Sequence, residues 1–273
     1  MGETLMSFVR LIAMDVDGTL YDRPGTISEV NLAALHKAQE KGVTVAIATG
    51  RTPANMLMST RALGLYCPVI GSNGTHVVDE NNNLIFEYLM ATEAAKEAQY
   101  RLSQLDTEYN VVTVDTLCMS HRDNSYKLTK AECDGLLQYG QKCLYGQENA
   151  RICAGEKVNK LFAYNCADID AVRAALSDIP GIYLSRSGKD NVEIMPVGAD
   201  KALGVRALAD CCNISMNDVM TMGDEMNDLE MIRAAGWGVA MGNAVEALKK
   251  EACYVTEHCH DHGVSCAIWR YVL

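Results

Sequence analysis

No apolar run in the chain approaches the ~18 residues that a membrane-spanning helix requires, so no membrane span is expected. There is no C-x-x-C pair among the eleven cysteines, and their number is odd. Cys211 and Cys212 are adjacent, a poor geometry for bonding each other, while Cys118, Cys153 and Cys166 sit among apolar neighbours. A disulfide framework is therefore not expected. Reduced, mostly buried thiols in a cytoplasmic compartment are. Positive charge is scarce: 24 Lys and Arg face 35 Asp and Glu, for a net charge of −11. Broad nucleic-acid binding rests on basic surface meeting phosphates, so no nucleic-acid partner is expected. Any anionic ligand must be met by local positive charge. Met1-Gly2-Glu3-Thr4 lacks the basic stretch of a secretory signal, and Met6 stands where a myristoylation signal wants Ser or Thr. Repeats and low-complexity stretches are missing too, and nothing specifies an oligomer.

What is present begins with Leu11-Ile12-Ala13-Met14-Asp15-Val16-Asp17-Gly18-Thr19-Leu20. A short apolar run reads as a buried parallel strand, and it delivers two carboxylates and a glycine to its end. Asp-Gly alone is ordinary turn chemistry. Yet Asp is almost never buried unpaired, and active sites in open α/β sheets lie outside the carboxyl ends of the strands. The 273 residues leave room for one large domain or two modest ones.

Strand and helix signals then alternate. Ser28 caps a helix that Gly42 stops; Val43 to Ala48 is a β-branched strand ending at Thr49-Gly50-Arg51; Thr52-Pro53 starts a helix. Pro68 to Ile70 is a short strand ending in Gly71-Ser72-Asn73-Gly74. This alternation predicts a doubly wound, mostly parallel sheet with polar loops stacked on one edge. From residue 85 the character changes. Thr92 to Leu105 predicts a helix, Val111 to Val114 a strand, and Ala131 to Tyr145 a mixed segment. Strands at Val158 to Tyr164 and Ile182 to Leu184 flank a helix at Ile169 to Leu176, and Asn191 to Met195 predicts another strand. Residues 85–194 thus read as an inserted α+β domain within a core of 1–84 and 195–273. After Pro196 the first pattern returns. Asp200 caps a helix from Lys201, and the strand Val219 to Met222 ends at Gly223-Asp224-Glu225-Met226-Asn227-Asp228. Trp237 to Met241 is a strand, Asn243 is expected to cap a helix with Glu246 in the box position, and Tyr254 to Thr256 closes the pattern.

The order of these strand ends resembles the haloacid dehalogenase superfamily of phosphohydrolases. Its four motifs fall on Asp15-Val16-Asp17-Gly18-Thr19, on Thr49 in Thr49-Gly50-Arg51, on Lys201, and on Gly223-Asp224-Glu225-Met226-Asn227-Asp228. Ser72-Asn73-Gly74, Glu193-Ile194-Met195-Pro196, Ala240-Met241-Gly242-Asn243-Ala244 and Asp261-His262-Gly263-Val264 look like the Cof-type subfamily, which carries a large α/β cap of type C2B. Met14 departs from the aromatic residue or Leu more usual there. The resemblance implies a Rossmann-like core and a cap that closes over the site. It makes Asp15 the nucleophile of an aspartyl-phosphate and Asp17 the general acid and base. Mg²⁺ suits such an oxygen site. It would be held by Asp15, the Asp17 carbonyl and Asp224, with Asp228 in support. Thr49, Gly50, Arg51, Asn73, Lys201 and Asn227 would meet the phosphate. Lys160, Arg186 and Asn191 are candidate cap contacts. The implied activity is hydrolysis of a small phosphorylated metabolite, such as a sugar phosphate.

Two alternatives stand beside this: a phosphotransferase or phosphomutase on the same scaffold, and a non-catalytic binding or regulatory protein. Other motifs fit less well. An EF-hand wants Gly at its sixth position, where Asp15-Val16-Asp17-Gly18 has it fourth. Gly236 to Gly242 is one residue too long for a dinucleotide fingerprint, and Gln141 stands where a Walker lysine would follow Gly140. His258-Cys259-His260-Asp261-His262 has the donors for a soft metal, but the resemblance places a plain loop there.

Overall fold

The structure is a computed structural model describing residues 8–23, 25–121, 128–185 and 190–273. The chain divides into two compact units, one running to Phe86 and resuming over Asp200–Leu273, the other spanning Glu87–Ala199.

The first unit opens with β1 (Leu11–Met14), whose four residues are all buried. A small antiparallel hairpin follows, β2 (Tyr21–Arg23) and β3 (Thr26–Ile27). Then come α1 (Glu29–Glu40), capped by the Ser28 side chain, and β4 (Thr44–Ala48). Next is α2 (Pro53–Ala62), capped by Thr52 with proline in its first turn. β5 (Val69–Gly71), β6 (His76–Val78) and β7 (Leu84–Glu87) finish this half.

The inserted unit contains α3 (Thr92–Ser103), β8 (Glu108–Thr113), β9 (Thr116–Met119), α4 (Lys130–Gln138), β10 (Lys142–Tyr145) and α5 (Gln147–Cys153). It continues with β11 (Val158–Tyr164), α6 (Ile169–Leu176), β12 (Ile182–Ser185) and β13 (Val192–Pro196). Its sheet runs β10-β9-β8-β11-β13-β12. Because strand side chains alternate between faces, Tyr109, Val111, Leu161 and Ile194 enter one apolar core with Ala95 and Leu102 of α3. Lys160 belongs to the opposite face of β11. It is buried and lies 3.4 Å from Glu193 of β13, also buried. Asn191 is buried just before β13, and Arg186 lies outside the described residues.

The first unit resumes with α7 (Lys201–Cys211), β14 (Val219–Gly223), α8 (Leu229–Ala234), β15 (Trp237–Ala240), α9 (Glu246–Glu251), β16 (Tyr254–Val255) and α10 (Gly263–Tyr271). Its sheet order is β16-β15-β14-β1-β4-β5-β6-β7. The stretch from β16 to β5 is parallel, and β6 turns antiparallel against β5. This is the expected α/β class, a doubly wound, mostly parallel sheet. The register positions the site: Met14 lies level with Ile47 on one side and Met222 on the other. Asp15, the Thr49 loop and Asp224 therefore emerge along one edge. Beneath them Leu11, Ala13, Ala46, Ile70, Val205 and Val219 share a core.

Several elements escape the sequence pattern. The β2–β3 hairpin, β6, β7, β9 and α5 are short segments without a clear apolar run, and α10, although Val264, Ala267 and Ile268 recur at helical spacing on its buried side, is not among the expected helices. The mixed segment from Ala131 resolves into α4 and β10. Asn243 does not cap α9, which starts after Val245 without a side-chain cap.

Candidate active site

β1 and β14 end side by side, and the Asp15 N–H still donates to the Met222 carbonyl at 2.9 Å. Beyond Asp15 the chain must turn sharply, and Gly18 makes the turn at φ +86°. A Cβ there would collide with the Asp224 carboxylate. Glycine thus serves both the left-handed backbone and the approach of the two strand ends.

Asp224 is anchored from both sides of that gap. The Thr19 hydroxyl donates to its Oδ1 at 3.1 Å. The Asn243 amide donates to its Oδ2 at 3.3 Å and to the Gly18 carbonyl at 2.8 Å. Asn243, expected as a helix cap, instead holds the first and fourth motif loops together. The Ala240-Met241-Gly242-Asn243-Ala244 run was the sequence signal for it, but the residue's direction was not readable there.

Asp228 lies in the short turn Met226–Asp228 that follows β14. Its Oδ2 accepts the backbone N–H groups of Asp224 at 2.9 Å and Glu225 at 3.1 Å. Its Oδ1 accepts from Lys201 Nζ at 2.6 Å. Lys201 is the first residue of α7, fixed by the Asp200 cap that accepts from the Leu203 N–H at 2.8 Å. The ammonium donates a second bond to Asp15 Oδ1, also at 2.6 Å. Lys201 is only 1% exposed.

Electrostatics follow from this burial. One ammonium faces Asp15, Asp224 and Asp228, whose carboxylate oxygens lie within 4.8 Å of one another. Burial pushes Asp15 up to about 7; Lys201 opposes the rise and Asp228 adds to it. Burial likewise pushes Asp224 to about 7, with the Asp228 charge adding. For Lys201, burial works against the charged form. The Asp15 and Asp228 carboxylates outweigh it and hold the amine above its ordinary value. The protein thus supplies too little positive charge for its own carboxylates. An all-oxygen donor set with surplus negative charge could hold a hard divalent cation.

The Asp17 side chain stands apart from this cluster. It forms a two-pronged pair with Arg51, whose Nε and Nη2 donate at 3.0 and 2.7 Å. The pair is open to solvent, with the Asp17 side chain 55% exposed. Arg51 also lies over the Tyr21 ring, 5.9 Å from its centroid. Thr49 is buried, and its hydroxyl accepts the Arg51 N–H at 3.2 Å. The loop carrying Gly50 is zipped to the next one: Asn73 N–H donates to the Thr49 carbonyl at 2.9 Å, and Ser72 N–H to the Arg51 carbonyl at 2.7 Å. Asn73 itself takes a left-handed conformation at φ 54°. Asn227 is in the turn one residue before Asp228. The structure therefore brings Asp15, Lys201, Asp224 and Asp228 into one cluster. It places Thr49, Gly50, Arg51 and Asn73 in two joined loops at the end of β4 and β5.

This architecture can be set beside known proteins. The sequence model of the haloacid dehalogenase-like hydrolases matches residues 12–268. The 5-amino-6-(5-phospho-D-ribitylamino)uracil phosphatase YcsE of Bacillus subtilis is 30% identical over 268 residues, covering 97% of this chain and 96% of its own. An HMP-PP phosphatase of Yersinia pestis is 28% identical, covering 94% of this chain and 93% of its own. The crystal structure of a haloacid dehalogenase-like hydrolase from Bacteroides thetaiotaomicron superposes with a TM-score of 0.80 at 26% identity, over 96% of this chain and 98% of that one. Strand-end carboxylates, a buried lysine and near full-length matches lead to one assignment: the chain belongs to the haloacid dehalogenase-like hydrolases.

Proposed function

We propose that the chain is a Mg²⁺-dependent phosphatase that hydrolyses a small phosphorylated metabolite through an aspartyl-phosphate on Asp15. The observation carrying this reading is the convergence on one buried point of Asp15, Lys201, Asp224 and Asp228, drawn from three separate segments. The relatives named as phosphatases support the reaction class. The phosphorylated ribityl chain in one of their names supports a polyol or sugar phosphate as the substrate type.

Phosphoryl transfer passes through a loose transition state, so catalysis is mostly positioning and charge neutralisation. Asp15 and Asp224 would hold Mg²⁺ with their carboxylates and Asp17 with its main-chain carbonyl. Asp228, whose two oxygens are already engaged, braces Lys201 and the Asp224 backbone. When bound, the ion supplies positive charge to the transferring phosphoryl group. In the first half-reaction an Asp15 oxygen attacks phosphorus and the ester P–O bond breaks. The Asp17 carboxylate, released from Arg51 and protonated from solvent, gives that proton to the departing alcohol oxygen. In the second, a water loses a proton to Asp17 and attacks the same phosphorus, releasing phosphate and restoring Asp15. Lys201 opposes the upward push of burial on Asp15 and so favours the ionised form that attacks. The Thr49 hydroxyl and the Gly50 backbone, with Arg51, Asn73 and Asn227 nearby, receive the phosphate oxygens.

The test is hydrolysis of an aryl phosphate with and without Mg²⁺, reading released inorganic phosphate. Wild type should turn over only with the ion, and Asp15→Asn should keep its circular dichroism while losing turnover. Undiminished hydrolysis by Asp15→Asn would remove the nucleophile from this scheme. Isomerised product without free phosphate, across a panel of sugar phosphates, would replace the phosphatase by a phosphomutase.

A further inference from the structure

Among the described residues, one other group of metal-ligating side chains comes together, and the phosphatase reading makes no use of it. After β16 the chain enters the short turn Cys259–Asp261, with His258 as its N-terminal cap. The His258 Nδ1 accepts the His260 N–H at 3.1 Å. This folds the second ring back over the first, so the two imidazoles stack with centroids 4.9 Å apart and an interplanar angle of 25°. The Cys259 sulfur lies 3.5 Å from His258 Nδ1. One ring nitrogen from each histidine and the thiol sulfur all fall within 4.8 Å of one another.

The backbone under this group is held firmly. The Cys259 N–H donates to the Asn243 Oδ1 at 2.9 Å. A Cβ at Gly242 would press on the His258 backbone nitrogen at 2.6 Å. Cys259 is 4% exposed, while the His260 ring is open to solvent. The thiol forms a floor and the outer imidazole an accessible wall. His262 is turned elsewhere, its Nδ1 3.0 Å from the Ser28 hydroxyl.

Donor chemistry separates this group from the carboxylate cluster. Imidazole nitrogen and thiolate sulfur suit Zn²⁺ and its softer neighbours, whereas oxygen donors suit Mg²⁺. We propose that His258, Cys259 and His260 form a second metal site, selective for zinc-class transition ions over Mg²⁺. Two imidazole nitrogens and one thiolate bind the ion, and water completes the coordination. On binding, the Cys259 S–H bond gives way to a metal–sulfur bond and the proton passes to solvent.

Co²⁺ is the probe for the test, added to the folded chain in saturating Mg²⁺. A bound thiolate gives cobalt a near-ultraviolet sulfur-to-metal charge-transfer band that carboxylates do not produce. Wild type should show the band and saturate at one Co²⁺ per chain. Cys259→Ser should lose it, Asp224→Asn should keep it, and His260→Ala should weaken binding about tenfold or more. Competition against a chromogenic chelator then gives the Zn²⁺ affinity of the same variants. Circular dichroism checks that each is folded. The His260 ring is exposed, so its variant carries the test even if Cys259→Ser fails to fold. A missing band in wild type, a full band in Cys259→Ser, or unchanged affinity in His260→Ala would overturn the proposal.

Discussion

Asn243 carries more than its sequence context announced. Asn-x-x-Glu before a helical run is the spacing of a cap, yet the side chain spans Gly18, Asp224 and Cys259. A motif gives residue identity and order, while side-chain direction depends on the loop between β15 and α9, which has no periodicity to read. Asp15 and Asp224 follow apolar strands and Lys201 opens a capped helix; with Asp228 they could be named because their order resembles the family's motifs. The Asp17–Arg51 pair could not, since an exposed ion pair worth about 0–1 kcal/mol leaves no pattern. In the proposed site Asn243 acts through Asp224, which makes it a positioning residue. Asn243→Ala should lower Mg²⁺ affinity about ten- to hundredfold, as loss of an outer hydrogen bond to a ligand commonly does. Calorimetric titration with Mg²⁺ reads this directly. Raising Mg²⁺ should restore most of kcat, which loss of a group acting on the phosphoryl centre would not allow.

The legible strands were those with an uninterrupted apolar run. β1, β4 and β14 are short apolar runs because both faces of a parallel sheet are covered. β9 is as long as β1 but opens on Thr116 after Asp115 and so does not read as an apolar run, while α5 has seven residues, too few for a helical period to emerge. The turn after β1 was legible as Asp-Gly, but its tightness was not. Gly18 and Gly64 share a left-handed backbone, at φ +86° and +79°, yet a Cβ meets the Asp224 carboxylate at Gly18 and open space at Gly64. Alanine at either position carries the left-handed penalty of roughly 1–2 kcal/mol. Gly18→Ala should also abolish Mg²⁺-dependent turnover, because it drives apart the two strand ends. Gly64→Ala should retain turnover near wild type. Melting temperature and kcat measured on both variants separate backbone strain from damage to the site.

For the whole chain, buried charge links stability to pH. Asp15 and Asp224 hold their protons up to about 7 in the folded, metal-free protein, burial being the main cause. In the unfolded chain they titrate near the ordinary 3.8. Between those values the folded state binds more protons, so stability from these groups is greatest at low pH and falls as pH rises toward 7. Mg²⁺ needs both carboxylates ionised and should reverse the trend. The rise in melting temperature on adding Mg²⁺ should be larger at about pH 8 than at about pH 5. An equal rise at both would mean that the ion stabilises the fold without these two groups. All eleven cysteines are free thiols in the structure, and none of the described helices is long and apolar enough to cross a membrane.

The strand order has a further consequence for how the protein is made. β1 lies between β4 and β14, with Leu11 beside Thr44 on one side and Val219 on the other. A ribosome emits Thr44 early and Val219 late, after all of Glu87–Ala199, which has an apolar core of its own. The nascent polypeptide thus carries a half-finished sheet with a bare edge through most of translation, the kind of edge that recruits stray chains. Lys201 likewise emerges only after Glu87–Ala199, so Asp15 stays without its cationic partner until that insert has been made. The buried cluster around Asp15 can close only once the intervening insert has left the ribosome.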